Sequence, residues 1–162
     1  VNKSALITLS LLAFFILLPA STSTYAQASP NHAVIMPSFN LSSQKWKNRV
    51  LLVFAPSSNN PAYQQQMQKF QGHKSAFVER DLILVEVLTD GNSYADSQQI
   101  DPSSAARLRD RLQVGAQDFR VILVGKDGGV KRRQTTPVQA KAIFEQIDAM
   151  PMRQQEMQKQ GS

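Results

Sequence analysis

No cysteine occurs in these 162 residues. Disulfide exchange and cysteine-based peroxide reduction both need a thiolate, so this chain alone can perform neither. Its core must also hold by packing, without disulfides. Histidine is nearly as scarce. His32 and His73 stand far apart, and no ligand spacing groups carboxylates around them, so no metal site and no cofactor are expected. His73 reads as a solvent-facing helix residue. Neither Ser57 nor Ser58 lies in a G-x-S-x-G elbow, which argues against serine hydrolysis. No aromatic-plus-basic stripe is present, and nucleic acid is not an expected partner. The longest apolar run, Ala5 to Leu18, falls short of the ~20 residues that a membrane span needs.

That run has another meaning. Lys3 is the only charge before it, and a small-residue stretch after it ends in Ala26-Gln27-Ala28. This is the order of a secretory signal peptide, so residues 1–28 are expected to be cleaved after Ala28. The product is expected to be exported, periplasmic or secreted, with no membrane association and no lipid anchor. Cleavage would remove Lys3 and take the formal net charge from +6 to +5, which favours solubility and anionic surfaces.

Residues 29–48 are polar and aperiodic, a mostly irregular lead-in with Phe39, Leu41 and Trp46 available to pack. The folded domain is expected over residues 49–151. Arg49 to Ala55 (RVLLVFA) reads as a strand buried on both faces. Asn60 and Pro61 then fit the cap and first position of a helix, with Tyr63, Met67, Phe70 and Phe77 on its apolar face and Gly72 interrupting it. Asp81 to Leu88 is a second strand, and Thr89 to Gln99 an exposed loop. Asp101-Pro102 opens a second helix carrying Ala105, Leu108 and Leu112. Phe119 to Val124 and Val130 to Arg133 flank a Gly-rich turn as a hairpin. Thr136-Pro137, with Gln139 placed as in a capping box, opens a last helix that Pro151 stops. Residues 152–162 form a polar tail. The order β-α-β-α-β-β-α predicts an α/β fold with a mixed four-stranded sheet and helices on both faces.

That order is the minimal thioredoxin-like one, and particular residues extend the likeness. Val114 to Val130 (VGAQDFRVILVGKDGGV) resembles the thioredoxin segment leading into the central hairpin. The resemblance places Ser58 and Pro61 where thioredoxins carry their two redox cysteines, and Arg120 where they carry a cis-proline. A narrower resemblance rests on RVLLVFAPS, ERDL, VILVGKDGGVKRR and IDAMPMR, from about Leu41 to Glu156. These resemble the domain of unknown function 4174, a thioredoxin-like and peroxiredoxin-like family of exported bacterial and animal extracellular proteins. The resemblance implies that fold and an extracytoplasmic setting. It implies no established activity.

In that fold Ser57, Ser58, Asn59 and Asn60 lie at the N-terminus of the first helix, where free N–H groups favour an anion. Arg120 has two readings: it approaches that pole to hold a carboxylate, sulfate or phosphate, or it pairs with Asp118. Lys126, Lys131, Arg132 and Arg133 form a second basic patch, whose alternative role is to keep an edge strand from aggregating. Lys126 to Gly129 lacks Walker spacing and reads as a hairpin turn. Glu79, Arg80 and Asp81 read as local ion pairs. Met150, Met152 and Met157 offer an adaptable surface. The expected function is therefore binding of a protein or acidic glycan without catalysis; the alternative is an enzyme with non-thiol chemistry at the helix-one pole.

Overall fold

The computed structural model describes residues 36–160. The expected signal peptide, the start of the lead-in and His32 lie outside them. In chain order the elements are β1 (Arg49–Ser57), α1 (Pro61–Phe70), α2 (Lys74–Glu79), β2 (Leu82–Asp90), β3 (Ser93–Ala95), β4 (Gln98–Ile100), α3 (Pro102–Leu112), β5 (Arg120–Val124), β6 (Val130–Gln134), α4 (Ala140–Asp148) and α5 (Pro151–Gln160). A short 3-10 turn, Leu41–Gln44, precedes β1.

The continuous apolar run in β1 is buried on both faces because the strand is central. Leu52 and Phe54 pack with Leu108 and Leu112 of α3, and with Phe39 and Leu41. Leu51, Val53 and Ala55 pack with Phe70 and Phe77 on one side and Ile143 and Ile147 of α4 on the other. The alternation of side chains along each strand feeds these two cores separately. Sheet order is β4-β3-β2-β1-β5-β6. β1 and β2 are parallel, and the remaining pairs are antiparallel.

The sheet therefore has six strands where four were expected. The stretch read as a loop, Thr89 to Gln99, instead continues β2 and adds the β3–β4 hairpin. Its two-residue turn, Asp96-Ser97, has φ of 46° and 68°, the mirror-type geometry that matches strand twist. Two further readings change. The last helix starts at Ala140, and Gln139 at its cap makes no side-chain cap bond. Pro151 ends α4 but also begins α5, so the polar tail is helical to Gln160. The caps at Asn60 and Asp101, each followed by proline, stand as expected.

The late start of α4 has a cause in α1. Gln66 is fully buried. Its amide donates to the Val138 carbonyl at 2.9 Å and accepts from the Val138 N–H at 2.7 Å. Residues just before α4 are thus held by a side chain rather than by a helical turn. Gln66→Ala would leave both backbone groups of Val138 without a partner, and the expected loss is about 2 kcal/mol in urea unfolding.

Candidate functional site

The C-terminal end of β1 is where the thioredoxin resemblance places chemistry. Asn60 accepts a hydrogen bond from the Tyr63 N–H at 3.1 Å, so its side chain is occupied by the cap. Ser57 is half-buried, and Ser58 and Asn59 are exposed. Arg120 pairs in register with Phe54. Its guanidinium meets Asp118 at 3.2 Å and donates to the Phe119 carbonyl at 2.7 Å. Because Val121 and Leu123 belong to the α1–α4 core, alternation turns Arg120 toward the α3 face. Among the described residues no hydrogen bond or ion pair joins it to residues 57–60.

Sequence reading missed a second arginine at this pole. Arg109 donates to the carbonyls of Ala55 at 2.8 Å, Val87 at 3.0 Å and Gly115 at 3.0 Å. It lies 5.6 Å from the Phe54 ring centroid. It thereby ties the ends of both parallel strands to the loop after α3. Burial lowers its pKa, partly offset by the charge of Asp118. The available signal was its place four residues after Ala105 on the apolar flank of α3.

The predicted basic hairpin is dispersed. Lys126 meets Asp81 at 2.8 Å and Glu156 at 2.7 Å. Lys131 meets Asp127 at 2.6 Å. Arg132 donates to Gln146, and Arg133 to the Leu112 carbonyl, on opposite faces of β6 as alternation requires. Lys126 belongs to a buried ion network that fastens α5. Arg49 and Arg153 are each 1% exposed, and both reach Glu156. Arg80 meets Glu79 and Asp148, in agreement with the reading of residues 79–81 as local ion pairs.

The most exposed large apolar side chains are Trp46 and Val78, each 69% exposed. Of the three lead-in residues read as available to pack, Phe39 and Leu41 are buried and Trp46 is not. Its φ of 64° is unusual for a bulky residue. The turn that carries it is nevertheless tightly held. Trp46 N–H donates to the Lys126 carbonyl at 2.8 Å, and Lys47 and Asn48 N–H donate to the Gln44 carbonyl at 3.1 and 2.9 Å. The Lys45 stem lies on Gly128, where an added Cβ would sit 2.4 Å from Lys45 Cε. Buried Phe39 and Leu41 anchor the segment from below. Lys45 and Lys47 flank Trp46 in the sequence, are exposed, and have no ion pair among the described residues.

The chain is similar to known sequences and structures. A domain of unknown function (DUF4174) matches residues 40–156. Coiled-coil domain-containing protein 80 of Danio rerio is 28% identical over 138 residues, covering 75% of this chain and 16% of that protein. Sushi repeat-containing protein SRPX of Homo sapiens is 30% identical over 114 residues, covering 68% of this chain and 25% of that protein. The chain thus spans no more than a quarter of either relative. Plasmodium vivax 2-Cys peroxiredoxin in its reduced form superposes with a TM-score of 0.55 at 16% identity, covering 72% of this chain and 85% of that one. Plasmodium yoelii thioredoxin peroxidase I gives a TM-score of 0.51 at 18% identity, covering 75% and 81%. At such identities the likeness is one of fold: α/β and thioredoxin-like, here with six strands.

Proposed function

The chain belongs to the family described as a domain of unknown function (DUF4174), and on that premise we propose that it is an exported binding domain for an acidic partner, an acidic glycan foremost. The signal-peptide pattern of residues 1–28 supports export. The observation that carries the binding reading is Trp46, presented to solvent between Lys45 and Lys47 on a turn fixed by backbone hydrogen bonds. An aromatic anchor held in place before binding loses little entropy on contact, and Trp is enriched among residues that dominate interfaces. The flanking ammonium groups add attraction to anions at low salt. At the helix-one pole Ser58 and Asn59 are exposed and offer a second surface for the same kind of partner, without Arg120, which pairs with Asp118.

Trp46 is the chain's single tryptophan, so its own emission reports on the surface. Titration with heparin at low salt is expected to shift that emission to the blue and to saturate. Moderate salt should weaken the complex. Trp46→Ala, followed by calorimetry, should weaken it about tenfold or more. Absence of binding at low salt would refute the acidic-glycan reading.

A further inference from the structure

The β3–β4 hairpin extends the sheet beyond β2 and creates a groove with β2 as its floor. On one side stand α1 and α2, and on the other the Asp96-Ser97 turn. The cavity there has a volume of about 440 Å3 and is walled by Phe70, Phe77, Leu82 and Leu84. A shallow, open depression beside it shares Phe70 and Leu84 and reaches Tyr63. The cavity of about 440 Å3 lies in the range that holds small ligands.

Glu86 lines the cavity beside Phe70, Phe77 and Leu84. It projects from the middle of β2, is only partly exposed, and faces Tyr94 across the β2–β3 pair. The Tyr63 hydroxyl donates to one of its carboxylate oxygens. Burial first, and that hydrogen bond second, raise the Tyr63 pKa, so the phenol stays a donor. Among the described residues Glu86 has no cationic partner. A carboxylate drawn partly out of water among apolar side chains is ordinarily paired. Two other charged groups line the cavity. Asp96 accepts from the Leu84 N–H at 3.0 Å. Lys74 is exposed on the first residue of α2 and makes no ion pair with Glu86.

We propose that this groove binds a small organic amine, its ammonium on Glu86 and its apolar body against Phe70, Phe77 and Leu84. The free carboxylate oxygen accepts a charge-assisted hydrogen bond from the ammonium. Tyr63 orients the carboxylate from the other oxygen. A metal ion is the poorer fit: no group of three or more His, Cys, Asp or Glu ligands occurs among the described residues, and Asp96 is already engaged by the Leu84 N–H. The amine site is separate from the Trp46 turn. Its test uses no acidic polymer, so either reading can fail while the other stands.

The experiment compares 2-phenylethylamine with 2-phenylethanol, which has the same body without the charge. Binding is followed by amide chemical shifts and by calorimetry at neutral pH. The amine is expected to bind about tenfold tighter, one charge-assisted bond's worth of difference, and to shift the signals of Leu84, Glu86 and Tyr94. Glu86→Gln should remove the preference for amine over alcohol while Tyr63 can still donate to the new amide. Equal affinity of the two probes for the unmodified chain overturns the proposal without recourse to a variant. So does an unchanged preference in Glu86→Gln, or a shift pattern that avoids β2 and β3. An N-acetyl-lysine amide peptide serves as a third probe. Binding more than about tenfold tighter than any small amine would assign the groove to a protein's lysine instead.

Discussion

Glu156→Gln should destabilise the chain by about 3–5 kcal/mol, with a fall in melting temperature on the order of 10–20 °C. Glu156 is the anion that three cations share. Arg49 approaches at 3.1 Å, Lys126 at 2.7 Å and Arg153 at 3.9 Å. Arg49 is 1% exposed. Without Glu156 its guanidinium keeps only the Arg80 carbonyl at 2.9 Å, and its Nε–H already lacks a partner. Lys126 would still have Asp81, so the loss falls chiefly on Arg49. Breaking a buried pair from one side costs more than replacing both members, because the remaining charge stays buried. Arg49→Met should therefore return part of the stability when added to Glu156→Gln, and urea unfolding of the two single variants and the double variant measures that coupling.

The same carboxylate makes stability depend on acid. Burial alone would raise the Glu156 pKa, but hydrogen bonds from Lys126 and Arg49, and their charges, hold it below its ordinary value. A depressed folded-state value means that the unfolded chain binds the proton more readily. The contribution is thus complete above the unfolded pKa and is lost as pH falls through the folded one. The gap between the native chain and Glu156→Gln should begin to narrow below about pH 4 and narrow further as the pH falls. A gap that persists unchanged at pH 3 would show that the hydrogen bonds of Glu156 matter without its charge.

This network also marks a limit of sequence reading. β1, β2, β5, β6 and three helices with apolar faces follow from period and turn chemistry, the first helix being divided at Gly72 into α1 and α2. Helix α5 does not, because its buried face is made of Arg153 and salt-bridged Glu156 rather than aliphatic side chains. A method keyed to apolar spacing reads MRQQEMQKQ as a tail. The β3–β4 hairpin escaped for a related reason. Its mirror-type turn uses Asp96 and Ser97, where glycine or asparagine usually announces that geometry. Gln66 escaped because it lies in a polar run from which only the fold selects one member for burial, and Arg109 because its place beside the apolar side of α3 does not say which carbonyls it meets. At the candidate pole the resemblance located the right elements, and the residue types gave the caps. Whether Arg120 meets Asp118 or residues 57–60 depends on which sheet face it leaves, and that parity is set by strand register. Trp46 is the reverse case: its bulk argues for burial, and the backbone turn at φ 64° holds it outside.

Arg153→Ala should loosen α5 while the six-stranded sheet remains folded. Arg153 is 1% exposed, and its guanidinium reaches Glu79 at 2.9 Å and Asp148 at 3.4 Å. Both anions keep Arg80, so removing Arg153 leaves them partly compensated. The helix itself is less well provided. Arg153 is its one fully buried residue, and Met157 is 38% exposed. Glu156 would be the remaining tether, still paired with Arg49 and Lys126, so the helix is loosened rather than freed outright. The cost is bounded by the free energy of undocking, because beyond that the helix lets go rather than strain the sheet. Amide exchange over residues 152–160 should accelerate by roughly two orders of magnitude, with β1 and β5 much less affected. Arg153→Met distinguishes the causes, since it keeps length and apolar contact but removes the charge. If methionine preserves protection across α5, packing rather than ion pairing docks the helix. If it fails as alanine does, the charges hold it, and undocking also deprives Arg49 of its anion.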